Sequence, residues 1–353
     1  MATGAHSHLW PGVPLALASA ITFGAFTPLS KCLLAAVDPR LLAGVLYLGA
    51  GIGLGGVHLA RSALGVPARE APLRRRDMPW LGAVILFGGI VGPVLLMLGL
   101  ARMPAAAGAL LLNLESIATM GLAWLVFGEN VDRRLLLGAF AIVAGAVVVS
   151  WHGEGIQPDA GAGLIAGACL AWGVDNNLTR KLAAADPVVI AMSKGLVAGA
   201  VNTGLALWGG AAPPSVVWLG AAAVVGFVGI GVSLVLFVLG LRHLGAARTG
   251  AYFSLAPFIG AVLAIIFLGD PLTARLALAG ALMGFGLWLH LAERHRHEHA
   301  HDGLEHEHSH THDKHHRHPH DAPVTEPHSH WHSHQLLRHT HPHYPDLHHR
   351  HPH

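Results

Sequence analysis

The sequence predicts an all-α membrane protein. Ten transmembrane helices form an inverted repeat of five plus five, and a disordered histidine-rich tail follows. Three observations carry this reading. The 353-residue chain is 53% hydrophobic and only 12% charged, about half the charged share of an ordinary soluble domain; its mean hydropathy is +0.50. Its charges fall in short loops and at the C-terminal end, leaving apolar blocks of about 20 residues, the length a helix needs to cross the hydrocarbon layer. Finally, 23 of the 29 histidines follow Leu291, so the tail is a separate compositional region.

The ten spans run over roughly 12–34, 40–60, 79–100, 104–127, 134–151, 160–181, 187–208, 217–240, 245–268 and 273–292. They lack the period-2 alternation of barrel strands. Their many Gly and Ala residues suit close helix–helix approach in lipid. Pro28, Pro93 and Pro257 each free a backbone carbonyl and kink a helix. Trp10, Trp80, Trp151 and Trp218 fall at span ends, as aromatic-belt anchors do. His58 and His290 are read as interfacial. Cys32 and Cys169 form no CxxC and are read as small packing residues. No basic run precedes the first apolar block, so a removable signal peptide is not expected.

The loops give the orientation. Arg61, Arg69, Arg74, Arg75, Arg76, Arg133, Arg134, Arg180, Lys181, Arg242 and Arg248 fall on one side, against Lys31, Arg40, Arg102 and Arg275 on the other. The positive-inside rule places the richer side, and both termini, in the cytoplasm.

The chain also repeats itself. "ITFGAFTPLSK" (21–31) aligns with "LAWGVDNNLTR" (170–180) at a shift of 149, and "LLLNLESIATMGLAWLVFGE" (110–129) with "AYFSLAPFIGAVLAIIFLGD" (251–270) at a shift of 141. Each half holds an odd number of spans, so the second must enter the bilayer from the opposite face. That is an inverted repeat, an architecture that places binding sites near mid-membrane. The expected organisation is a short cytoplasmic N-terminus (1–11), a first five-helix repeat (12–152), a second (159–292) and the tail (293–353).

These features resemble the drug/metabolite transporter superfamily in its EamA-type branch. The segment at 110–129 is similar to that family's apolar helix with Asn-x-Glu inside and Gly-Glu at its end. The resemblance covers about residues 12–292. One departure is visible: Ser116 follows Glu115 where the family commonly has Pro, while the second half has Pro257 but Ala256 in place of the acid. The resemblance implies an inner-membrane exporter or facilitator working by alternating access. The His-rich tail makes the chain look like members tied to nickel and cobalt resistance.

Polar residues inside the spans mark the candidate pathway. A charge at mid-bilayer costs at least about 2.5–3.5 kcal/mol, so Asp175 in the sixth span and Lys194 in the seventh must face protein, water or each other. An Asp175–Lys194 pair is conceivable, because the connection between their spans is short. As a site, Asp175 binds a cation or proton, Asn176 and Asn177 supply neutral oxygens, and Lys194 is the internal counter-ion. As a structural feature, the same residues clamp two helices. Glu115, with Asn113 nearby, is the second acid and suits proton coupling; Asn202 in the seventh span is a weaker candidate.

The tail repeats His-x-His: His295, His297, His299, His301; His306, His308, His310, His312; His328, His330, His332, His334. Imidazole ligates Ni²⁺, Co²⁺, Cu²⁺ and Zn²⁺, and alternate residues of an extended chain point the same way. The expectation is a disordered arm buffering several transition-metal ions, with no tightly bound cofactor in the body.

Three functions compete: proton-coupled export of a divalent transition metal, nickel or cobalt first; export of a small organic metabolite or amino acid, with the tail as a buffer; and a membrane metal-binding module that moves nothing. The expected partners are membrane lipid, metal ions and protons, in a bacterial inner membrane and without nucleic acid. The sequence carries no phosphate-cradling loop, nucleophile constellation or catalytic zinc motif, so no enzyme is expected.

Overall fold

A computed structural model of the chain describes residues 11–65, 73–127, 131–151, 159–182, 185–244, 246–291 and four tail segments. Among the described residues nine helices are long and apolar enough to cross a membrane: α1 (Gly12–Leu33), α2 (Pro39–Ala63), α3 (Arg75–Leu100), α4 (Ala105–Val126), α5 (Arg133–Ser150), α7 (Pro187–Trp208), α8 (Val216–Leu241), α9 (Arg248–Leu268) and α10 (Ala274–Leu291). Between them lies α6 (Ala160–Thr179), of 20 residues. It is as long as its neighbours, but Asp175, Asn176 and Asn177 make its last turns too polar to count with them. The helical body is a multi-pass membrane protein whose exposed apolar side chains, such as Leu125, Phe140, Val216 and Phe267, face lipid.

Several helices start on side-chain caps. Asp38 accepts from the backbone N–H of Arg40 and Leu41, with Pro39 at the first helical position. Asp132, Asp159 and Asp186 do the same for α5, α6 and α7. Each satisfies amide groups that the first turn leaves without intrahelical partners.

Four interruptions shape the body. In α3, residues Ile85–Val91 form a π-helical segment. Pro93 follows it and has no N–H to offer the carbonyl of Gly89, which loosens the ladder there. In α8, Phe227–Val232 is also π-helical, 142 residues after the first. The helix of α4 breaks between Leu111 and Leu114, and that of α9 between Phe253 and Ala256. The sequence predicts kinks at Pro93 in α3 and Pro257 in α9, but neither the π-helical register nor the interruptions of α4 and α8.

Packing follows the same correspondence. α1 lies against the Ser233–Leu244 part of α8 and the Ala256–Leu268 part of α9, while α6 lies against the Gly92–Leu100 part of α3 and the Leu114–Phe127 part of α4. A Cβ at Gly173 would meet the backbone of Ala118 and Thr119, and one at Gly24 would meet Ala256 and Ile259. α2 crosses α7, and α5 crosses α10. There the backbones touch: a Cβ on Gly51 would lie 2.5 Å from Leu196 N, and one on Gly286 would lie 2.5 Å from Gly138 O. Glycine is required at such crossings because any side chain would force the helices apart.

One contact breaks the correspondence. Ala105–Leu111 of α4 packs firmly on Ala256–Leu268 of α9. Among the described residues, the equivalent segments at the other end, Leu114–Phe127 and Ala246–Phe253, make no comparable contact. Among the described residues α4 and α9 are therefore packed together at one end of the body and parted at the other.

The tail differs from expectation. Where the sequence predicts disorder, His295–His301 pairs antiparallel with Leu337–His343, and Glu305–His310 with His328–Ser333. The alternating His-x-His pattern fits a pleated strand, whose side chains also alternate. The register sets His297 opposite His341, His299 opposite His339, His306 opposite His332 and His308 opposite His330. His312 and His334 lie outside the described residues.

Candidate functional site

The polar run of α6 meets α4, α7 and the π-helical segment of α3. Lys194 Nζ on α7 lies 2.6 Å from Asp175 Oδ2, with the two side chains 19% and 7% exposed. Asp175 Oδ1 also accepts from Thr179 Oγ1 at 3.2 Å, one turn further along α6. On the neighbouring position of α6, Asn176 Nδ2 donates to Glu115 Oε1 at 2.9 Å and to Thr119 Oγ1 at 3.1 Å, both on α4. Two carboxyl groups, one ammonium, one amide and two hydroxyls thus form a polar cluster of two bonded groups, Asp175–Lys194–Thr179 and Asn176–Glu115–Thr119, set on adjacent residues of α6. Asp175 is buried and Asn176 exposed, so the cluster runs from the packed interior to an accessible surface.

The π-helical segment makes room for this. A Cβ on Gly88 would collide with Asp175 Oδ2, and a Cβ on Gly89 would lie 3.0 Å from Lys194 Cγ. Only two consecutive glycines let the ion pair lie directly on the backbone of α3. The carbonyls that the π register displaces are taken by side chains from three helices. Gly88 O accepts from Tyr47 Oη of α2 at 2.9 Å and from Trp172 Nε1 of α6 at 3.0 Å. Gly89 O and Ile90 O accept from Asn202 Nδ2 of α7 at 3.1 and 3.3 Å. These bonds meet the demand that backbone groups inside a bilayer be satisfied internally.

The residues singled out from the sequence therefore divide. Asp175, Asn176, Glu115 and Lys194 come together. Asn177 adjoins them but donates to Thr119 O and Gly173 O, bracing α6 on α4, while its Oδ1 is buried without a partner. Asn202 holds the π-helical segment. Asn113 sits in the break of α4, where its amide donates to Leu110 O and contacts Met283 Sδ of α10 at 3.8 Å, away from the cluster. His290 is not simply interfacial: its Nε2 lies 3.1 Å from Leu135 O, against Gly138 of α5. Cys169 is a packing residue, 1% exposed, with its thiol toward Leu111 O. Tyr47, Trp172, Gly88 and Gly89 were missed by sequence reasoning; the pair Gly88-Gly89 ahead of Pro93 was the one available signal.

At the closed end a surface cavity of about 170 Å³ lies between Met103, Pro104, Asp270 and Arg275. It does not reach the cluster. Among the described residues no group of three or more His, Cys, Asp or Glu side chains is arranged to hold a metal ion.

The chain matches the EamA-like transporter family twice, over residues 10–151 and again over 159–292. It belongs to that family. This EamA protein is a membrane transporter and not an enzyme. It is 28% identical over 304 residues to an uncharacterized transporter of Methanothermobacter thermautotrophicus, covering 80% of this chain and 86% of that one. Its fold is similar to a solved crystal structure of a protein, with a TM-score of 0.59 at 20% identity, over 79% of this chain and 95% of the other. The reading as a membrane metal-binding module that moves nothing is set aside by the family.

Proposed function

We propose that this EamA transporter is a proton-coupled exporter of a divalent transition metal, nickel or cobalt first, and that it works by alternating access between two inverted five-helix repeats. The carrying observation is the 2.6 Å contact of Lys194 with Asp175 inside the helix bundle. A buried carboxylate needs a counter-charge. Lys194 is that charge when no cargo is present, and an arriving cation replaces it. Glu115, which accepts from Asn176 beside Asp175 on α6, gives and takes the exchanged proton. The two family matches, the paired π-helical segments and the paired helix breaks support the inverted repeat, with α6 as the tenth span. The positive-inside rule puts the arginine-rich end, where α4 and α9 are parted, in the cytoplasm. The transporter is then open inward in a bacterial inner membrane, with both termini and the tail on that side. The tail's imidazoles gather Ni²⁺ or Co²⁺, or Zn²⁺ and Cu²⁺, and raise the concentration near the opening.

One observation favours a second reading. The cluster pairs two acids with a lysine, an amide and two hydroxyls, and neither His nor Cys is among its bonded groups. Such a set suits the ammonium and carboxylate of an amino acid or similar metabolite, leaving the tail as a metal buffer.

Proton flux in liposomes driven by nickel, cobalt or amino-acid gradients separates the two. The first reading expects metal-dependent flux that Asp175→Asn abolishes. Flux with amino acids alone replaces it by the second, and wild-type flux in Asp175→Asn removes both.

A further inference from the structure

The two π-helical segments are related by the repeat but are not held alike. In a π register the carbonyl of residue i pairs with the amide of residue i+5. In α3 the Gly92 N–H accordingly goes to Phe87 O. Gly88 O and Gly89 O are left facing Pro93, the i+5 partner of the first and the i+4 partner of the second, and proline has no N–H. Tyr47, Trp172 and Asn202 supply the missing donors. A return to the α register would send the Gly92 N–H to Gly88 O, whose two lone pairs are already taken.

In α8 these locks are absent. Shifted by 141, Gly88 falls on Gly229 and Pro93 on Leu234; shifted back by 149, Trp172 falls on Phe23 and Asp175 on Phe26. The geometry repeats, for a Cβ on Gly229 would meet Phe26 where one on Gly88 meets Asp175. The chemistry does not. Phe23 has no donor, Leu234 keeps its N–H, and among the described residues no side chain donates to a carbonyl of Phe227–Val232. The Ser233 N–H reaches both Val228 O and Ile230 O, on either side of its α-helical partner Gly229. Amides in this stretch can therefore trade one carbonyl for the next without losing a bond.

The supports differ in the same sense. Met78–Val84 and Gly92–Leu100 of α3 both pack chiefly on α6, which splints the segment between them. In α8, Val216–Gly226 packs chiefly on α2 and Ser233–Leu244 chiefly on α1. There Ser19 Oγ donates to Ser233 O at 2.8 Å and Ser233 Oγ to Ser19 O at 3.0 Å. The segment of α8 thus joins two parts that belong to different partners.

We propose that Tyr47, Trp172 and Asn202 are positioning residues that lock α3 as the fixed seat of the Asp175–Lys194 pair, and that Phe227–Val232 of α8 is the hinge on which the body bends. One repeat carries the site and the other the movement. An unlocked π segment suits a hinge because its registers differ only in the partners of a few amides, so a modest difference in cargo contacts shifts the balance. The inference rests on the proposed function for the role of the seat as the exchange site.

Hydrogen exchange of the full chain in nanodiscs, without cargo, tests it. Amides of Val228–Ser233 should exchange at least about tenfold faster than those of Leu86–Gly92. Tyr47→Phe with Trp172→Phe, which removes both donors to Gly88 O, should raise exchange in α3 about tenfold and leave α8 unchanged. Phe23→Trp, which gives α8 the indole that α3 has, should slow its exchange by a similar factor. In nickel-driven proton flux the double variant should raise KM with kcat kept, and Phe23→Trp should lower kcat with KM kept. Equal protection of the two wild-type segments, or the reverse division of kcat and KM, overturns the proposal. If the double variant does not fold, the wild-type comparison decides. A chain that moves no nickel fails the proposed function, and the exchange ratio still judges this inference.

Discussion

Lys194 Nζ and Asp175 Oδ2 stand 2.6 Å apart across α6 and α7, one residue along α6 from the Glu115–Asn176 contact. Removing one member of a buried pair leaves an uncompensated charge. Lys194→Met should therefore destabilise the protein by about 3 kcal/mol. Adding Asp175→Asn to it should recover more than half of that loss while transport stays absent. Thermal unfolding in detergent, with uptake assays on the same variants, checks both parts.

Gly88 is held open by what touches it. A methyl group there would occupy the space of Asp175 Oδ2. Gly88→Ala should cost about 1–3 kcal/mol by overpacking and abolish transport by pushing the carboxylate off Lys194. Gly82→Ala, on the same helix with nothing within 4 Å of its added methyl, should leave transport unchanged. Equal effects from the two substitutions would show that α3 tolerates no alanine, and not that Asp175 needs the space.

Asp38 begins α2 outside the membrane span. Burial opposes its ionisation, but the Arg40 side chain and the backbone N–H groups of Arg40 and Leu41 outweigh it and hold the carboxyl below its ordinary value. A carboxyl whose folded pKa is depressed adds stability above its unfolded pKa, and the gain is lost as pH falls through the folded value. Asp38→Ala should cost about 1 kcal/mol at neutral pH and much less in strong acid. Unfolding curves at a series of pH values measure the difference.

Deleting residues 295–353 should leave the unfolding temperature of the helical body unchanged, because the body packs without the tail. Under the proposed function, nickel and cobalt tolerance of expressing cells should fall but not vanish. Tolerance equal to that of cells lacking the protein would mean that the tail is the transport determinant.

Much of the body was legible because lipid imposes a simple rule: an apolar run of sufficient length crosses. Even α6 was found, since Asp175, Asn176 and Asn177 interrupt a run that is otherwise apolar. The internal repeat was legible too: its shift of 149 reappears in the spacing of Gly24 and Gly173, and the two π-helical segments lie 142 residues apart, within one residue of its other shift. The direction in which polar side chains face was not. Asn202 and Asn113 look like Asn176 in sequence, yet they serve backbone carbonyls set free by the π register and by the break in α4. That register depends on donors offered by other helices to its carbonyls, and only the pair Gly88-Gly89 ahead of Pro93 hints at it. The strands of the tail were missed because a sequence poor in apolar residues gives no sign of which segments will pair.

The crossings at Gly51–Gly195 and Gly138–Gly286 carry one more implication. Backbones in such contact cannot slide lengthwise, since each neighbouring side chain would strike the opposing ridge. They can still pivot. A flexible cross-link across the α2–α7 crossing between Gly55→Cys and Met192→Cys, where a Cβ on Gly55 meets nothing nearer than the Met192 sulfur at 3.7 Å, should thus leave turnover intact, whereas one joining Ala101→Cys to Leu272→Cys across the closed end should arrest it.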